Sequence, residues 1–206
     1  MQGEFSLFKR GRSGVKFSGF LLTEYLEGQG LTAEQLTLKQ MLQIAEHVAL
    51  LHQHREPYFG VLFEVGVAFS HRNKEAWKRN LKQTLLALNK NQNIPIERMN
   101  KTVDLVNQLS IHDFQPIMLD FRWDQFLQLG AENLALLDLD AMVWGPRELE
   151  LVILEYLLTP KQAEAFLSVY TQYHTLPNLT LARAVYRVLL FQMNVLGERD
   201  FNRWMA

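Results

Sequence analysis

The spacing of apolar residues changes character once along this chain. Up to residue 25 it is strand-like: segments 5–8 and 15–25 are rich in Phe, Val and Leu. The polar turn Lys9-Arg10-Gly11-Arg12-Ser13-Gly14 separates them, which predicts a β-hairpin with a solvated tip. After Gly28 and Gly30 the period becomes helical. Leu38, Met41, Leu42, Ala45, Val48, Ala49 and His52 recur at three- and four-residue steps, and Thr32 with Gln35 makes a capping box, so a buried helix of about five turns is predicted over 34–52. Further helices are predicted over 74–89, 96–109, 148–158, 160–172 and 179–196. Thr159 before Pro160 supplies an N-cap and first-turn pair, and Gly197 supplies a C-terminal stop. Segments 116–119, 126–129 and 134–137 read as short strands, and the asparagine-rich stretch 89–100 as a loop. The fold class predicted is α+β, mainly helical.

Composition narrows the picture. A chain of 206 residues buries a sizeable core. Hydrophobic residues at 48% against 21% charged, with a net charge of −1, exclude disorder and a strong nonspecific attraction to nucleic acid or anionic lipid. Trp77, Trp123, Trp144 and Trp204 do not interleave with a basic stripe, so no nucleic-acid partner is expected. Core packing accounts for them, with Trp123 the exception because it stands inside the loop discussed next. The absence of cysteine excludes disulfides, thiol nucleophiles and cysteine metal sites. Residues 1–9 lack the apolar core of a secretory signal, and no run of about 18 apolar residues occurs, so a cytoplasmic protein with no membrane partner is expected.

The chemistry concentrates in Leu119-Asp120-Phe121-Arg122-Trp123-Asp124-Gln125-Phe126-Leu127 and the following Leu136-Leu137-Asp138-Leu139-Asp140. An Asp, four residues, an amide side chain, then a second Asp closing a short apolar run is the layout of a phosphotransferase catalytic loop with its metal-binding partner. Asp124 and Asp140 read as solvent-facing loop residues, although Asp140 could add a second metal contact. Other constellations are weaker. His47, His52 and His54 lack the i, i+4 spacing of a zinc helix. Ser110, His112 and Asp113 read as a helix end and loop rather than a catalytic triad.

Three more segments extend the pattern: Phe20-Leu21-Leu22-Thr23-Glu24-Tyr25-Leu26-Glu27-Gly28, Ala45-Glu46-His47-Val48-Ala49-Leu50-Leu51-His52, and Gly145-Pro146-Arg147-Glu148-Leu149-Glu150-Leu151. In this order the segments resemble the hinge and C-terminal lobe of the aminoglycoside phosphotransferase and choline kinase group, of protein-kinase-like fold. The resemblance runs from Phe20 to the C-terminus. It implies ATP and Mg²⁺ as cofactors, a small-molecule acceptor, adenine contacts at Glu24, Tyr25 and Leu26, a catalytic Asp120, and metal contacts at Gln125 and Asp138. Met118 and Leu119 stand where the family has His and Gly, and Gln125 where it has Asn. Glu150 replaces a later Asp of the family and is expected to be structural, receiving backbone N–H groups of the loop. Asp138-Leu139-Asp140 also resembles the bacterial lipopolysaccharide sugar kinase group, but the long stretch from His52 to Asp120 leaves room for the helical insert of the aminoglycoside type.

Two units are expected: residues 1–30 as N-terminal hairpin and hinge, a remnant of the upper lobe, and residues 31–206 as the helical kinase-like C-lobe. About 19 residues precede Phe20, too few for a lobe of several strands with a glycine-rich phosphate loop and a strand lysine. The expected function is therefore an ATP-dependent phosphotransferase acting on a hydroxyl of a small molecule such as an aminoglycoside, choline or sugar, in truncated form or with a protein partner supplying the lobe. The alternative is a catalytically silent, pseudokinase-type binding or regulatory module.

Overall fold

The computed structural model of the protein describes residues 27–62, 71–92, 94–129, 133–137 and 139–205. The predicted hairpin, the hinge residues Glu24, Tyr25 and Leu26, and Asp138 lie outside the described residues.

Helix α1 (Leu38–Leu51) begins at Thr37, whose hydroxyl accepts the Gln40 N–H while the Gln40 side chain accepts the Thr37 N–H. This is a capping box five residues later than the one predicted. Thr32 and Gln35 instead close a separate turn through Gln35 N–H to the Thr32 carbonyl and Thr32 N–H to Gln35 Oε1. The helix is thus 14 residues rather than the predicted five turns. Its inward face, Met41, Ile44, Ala45, Val48 and Ala49, packs along α5 (Pro160–Tyr173), which is capped by Thr159 and Pro160 as predicted.

Helices α2 (Lys74–Gln92), α3 (Ile96–Val106) and α6 (Thr180–Met193) pack on one another, and α6 also supports α4 (Arg147–Leu157). Helix α2 overruns its predicted end. The Asn89 amide then makes the break, exchanging two hydrogen bonds with the backbone of Ile94. Helix α6 stops three residues before Gly197, at Asn194, which takes the left-handed conformation with φ 54°; asparagine tolerates that region better than most residues. Helix α4 buries six consecutive residues, Leu149–Leu154, five of them apolar and the sixth Glu150. A short α7 (Phe201–Met205), absent from the prediction, docks through the buried Trp204, whose indole N–H donates to the Arg187 carbonyl. Among the described residues no helix is long and apolar enough to cross a membrane.

Two small antiparallel sheets lie beside these helices. One orders β1 (Gln29–Gly30), β4 (Phe126–Leu129) and β5 (Asn133–Leu136); the other orders β2 (Gly60–Val61), β6 (Met142–Gly145) and β3 (Gln115–Met118). The strands predicted at 116–119, 126–129 and 134–137 are present within one residue of their expected ends. Strands β1, β2 and β6 are not predicted: β1 and β2 are two residues long, and β6 leads within two residues into α4.

Candidate active site

Strand β3 is the edge of its sheet, and Asp120 follows it. The register pairs Gln115 with Gly145 and Met118 with Met142, and Leu119 N–H continues the ladder to the Ala141 carbonyl at 3.2 Å. By the same alternation, the backbone groups of residues 116 and 118 point away from the sheet. Pro116 has no N–H to lose there, as suits an edge strand. Met118 does, and its N–H donates to Glu150 Oε1 at 2.8 Å. Glu150 is expected to receive backbone N–H groups of the loop; in the structure it receives one, from Met118 at the end of the strand that leads into the loop.

The other Glu150 oxygen meets His52 Nε2 at 2.8 Å, and His52 Nδ1 meets the Tyr170 hydroxyl at 2.8 Å. Glu150 is 1% exposed, as is His52. A buried carboxylate needs such partners, because an isolated one would be strongly disfavoured. Burial pushes the Tyr170 phenol up to about 12, against the opposing pull of the Arg147 guanidinium, so the hydroxyl keeps its proton at any ordinary pH. His174 closes the cluster: its ring lies 5.0 Å from that of Tyr170, its Nε2 is 2.7 Å from the Ala49 carbonyl, and burial lowers its pKa. Helices α1, α4 and α5 therefore meet at the base of the loop that carries Asp120. From the sequence His52 is the end of a helix and a poor zinc ligand. The Leu-His ending of that helix was the available signal for its place here.

The loop itself has an inner and an outer face. Phe121, Trp123 and Phe126 turn inward and pack ring to ring at centroid distances of 5.3–6.2 Å, so Trp123 belongs to the core despite its place in the loop. Arg122 and Asp124 turn outward and pair at 3.1 Å, with Asp124 exposed as expected; an ion pair this exposed contributes little. Asp120 is half-buried between these faces. A single 3-10 turn, Trp123–Gln125, brings Gln125 back so that its amide nitrogen donates to Asp120 Oδ2 at 3.2 Å. The two predicted site residues in this loop are thus in contact.

Position 138 lies outside the described residues, but its flanks are tied to both ends of the loop. Leu137 N–H donates to the Gln125 carbonyl at 2.7 Å, and the Ala141 carbonyl receives Leu119 N–H. On the far side of β4, Gly28 approaches so closely that an added Cβ would stand 2.6 Å from the Gln128 carbonyl oxygen, and Leu31 N–H donates to the Phe126 carbonyl at 3.1 Å. The segment that follows the predicted hinge therefore runs alongside the strand that leaves the loop.

The remaining constellations behave as surface features. Ser110 Oγ touches His112 Nε2 at 3.2 Å, while Asp113 pairs with Arg55 at 3.8 Å instead of with His112, so no triad forms. No group of three His, Cys, Asp or Glu side chains able to hold a metal occurs among the described residues.

No family model matches the sequence, and no curated protein matches it. Similarity appears in structure. Choline kinase LicA from Streptococcus pneumoniae superposes with a TM-score of 0.58 at 17% identity over 88% of this chain and 66% of its own. LicA in complex with AMP gives a TM-score of 0.53 at 15% identity, covering 88% of this chain and 64% of its own. An ethanolamine kinase from Plasmodium vivax gives 0.49 at 11% identity, with 91% and 64% covered. The LicA structures show a shared fold, mainly helical α+β. This chain spans just under two thirds of the length of the chains it matches.

Proposed function

We propose that this protein belongs to a small-molecule phosphotransferase that moves the terminal phosphate of ATP to a hydroxyl group, with residues 31–206 as its C-terminal lobe and Asp120 as the catalytic carboxylate. The observation that carries this reading is the geometry of Asp120: it leaves a strand whose end is braced by Glu150, and it meets the amide of Gln125 five residues on. The fold shared with a choline kinase supports it, and makes amino alcohols the first acceptors to test. The AMP bound by that kinase supports an adenine nucleotide as donor.

In this reading Asp120 orients the acceptor hydroxyl and takes its proton as the oxygen bonds to the γ-phosphorus and the bond to the β–γ bridging oxygen breaks. Such transfer asks for positioning and charge neutralisation more than for covalent chemistry. The Gln125 N–H on Oδ2 holds the carboxylate plane. The donor chemistry suits magnesium: Asp138 and the side-chain amide oxygen of Gln125 would be its hard oxygen ligands, and this ion keeps several waters and phosphate oxygens, so few protein ligands suffice. When bound, the ion neutralises phosphate charge. Glu24, Tyr25 and Leu26 would meet the adenine.

One observation favours the silent module as a second reading. Gln125 is buried with its amide nitrogen committed to Asp120, and Met118 and Leu119 occupy the positions that the family fills with His and Gly. An ATP-consumption assay across choline, ethanolamine, aminoglycoside and sugar acceptors separates the two. Turnover of about one per second, the lower end for kinases, that Asp120→Asn abolishes supports the enzyme. Binding of nucleotide with no turnover under any acceptor supports the module.

A further inference from the structure

We infer that Tyr170, on α5, is a positioning residue for the Asp120 loop: its hydroxyl holds the His52 ring in the orientation that sets Glu150 against the Met118 backbone. The term positioning rests on the reading of Asp120 proposed above; the linkage itself does not.

The partners assign the protons. Both oxygens of Glu150 accept, one from Met118 N–H and one from His52, so His52 Nε2 carries a hydrogen. In a neutral imidazole the other nitrogen is then an acceptor. Its neighbour at 2.8 Å is the Tyr170 hydroxyl, which in that tautomer donates, while the Arg147 side chain hydrogen-bonds the same hydroxyl. The result is a directional chain, Tyr170 O–H to His52 Nδ1, then His52 Nε2–H to Glu150, with Met118 N–H on the far carboxylate oxygen. Such chains polarise one another in a low-dielectric interior.

The hydroxyl is well placed to act as the fixed end. Tyr170 is fully buried, its ring stacks on Phe166 at 5.3 Å with an 18° interplanar angle and lies beside His174, and it meets the His52 ring edge-on at 89°. Removing the oxygen leaves this packing in place but takes away the hydrogen-bond partner of His52 Nδ1 among the described residues. The carboxylate still keeps the hydrogen on Nε2, but the ring is no longer held from its other side, and its swing weakens one of the two holds on Glu150.

The test is Tyr170→Phe in the full chain, read by side-chain ¹⁵N shifts of His52 and by amide hydrogen exchange. The wild-type protein is expected to show hydrogen on His52 Nε2 and a hydrogen-bonded Nδ1, a measurement that needs no variant. Nε2 without hydrogen, or Nδ1 without a hydrogen-bond partner, overturns the inference. In Tyr170→Phe the Nδ1 shift is expected to move to that of a nitrogen without a hydrogen bond while Nε2 keeps its hydrogen, and exchange at Met118 to speed up about fivefold, the factor for one net hydrogen bond, with the amides of α6 unchanged. Unaltered His52 shifts and unaltered Met118 exchange overturn it. If the wild-type chain turns over ATP, kcat is expected to fall about fivefold with the nucleotide KM unchanged. Altered His52 and Met118 signals in a protein that never binds nucleotide would refute the kinase reading and leave the Tyr170 linkage standing.

Discussion

Glu150 and His52 meet at 2.8 Å in a site closed to solvent, one from the first turn of α4 and the other from the C-terminal cap of α1. Between them they tie two helices to the strand that leads into Asp120. Breaking one side of a buried pair strands the other, which costs about 3–5 kcal/mol. Glu150→Ala should therefore lower unfolding stability by that order in urea titrations, and Glu150→Gln by less, since an amide oxygen can still accept the Met118 N–H. A loss below about 1 kcal/mol for Glu150→Ala would show that water replaces the carboxylate.

Nucleotide binding has a thermodynamic signature independent of turnover. A ligand that binds the native state alone stabilises it by about 2.7 kcal/mol at a hundred times its Kd. Mg²⁺ with ATP should raise the melting temperature progressively with concentration, and Asp138→Asn should remove the gain. An unchanged melting curve at millimolar Mg²⁺ and ATP counts against both the metal role of Asp138 and the adenine role of residues 24–26.

Gly28 is required by the backbone that passes it. A Cβ there would lie 2.6 Å from the Gln128 carbonyl oxygen and 2.6 Å from Leu127 Cγ, and the carbonyl cannot move without disturbing β4. Gly28→Ala should cost about 1–3 kcal/mol, the usual range for overpacking, and should speed hydrogen exchange at Leu31, whose amide closes the β1–β4 pairing. Equal stability of variant and parent would mean that this segment does not press on β4.

His174 sets a pH dependence. Burial lowers its pKa below the ordinary 6.5, so the unfolded chain binds a proton more readily than the native one. Its contribution is constant above pH 6.5 and turns destabilising as pH falls from 6.5 towards the lower native value. Melting temperatures measured from pH 7.5 to 5 should drop, and His174→Gln, which keeps a donor for the Ala49 carbonyl, should flatten part of that drop. Parallel curves for the two proteins would assign the dependence to other groups.

Local signals carried much of this structure into the sequence. The three- and four-residue period along 38–52, the Thr159-Pro160 start of α5 and the alternation around 126–136 depend on residues close together in the chain. They located the helices and the β4–β5 hairpin to within a few residues. The Asp120-to-Gln125 spacing was readable for the same reason, since one short turn closes that contact. Boundaries failed where two signals competed: Thr32–Gln35 and Thr37–Gln40 both match a capping box, and only the packing of Met41 and Ile44 on α5 decides which one starts the helix. Trp123 and Phe121 looked like loop residues until the fold supplied a core for them to enter. The linkage through Met118, Glu150, His52 and Tyr170 joins positions up to 118 residues apart. Nothing local marks such a contact, because the cost of burying those polar groups is offset only when α1, α4 and α5 converge on the end of β3.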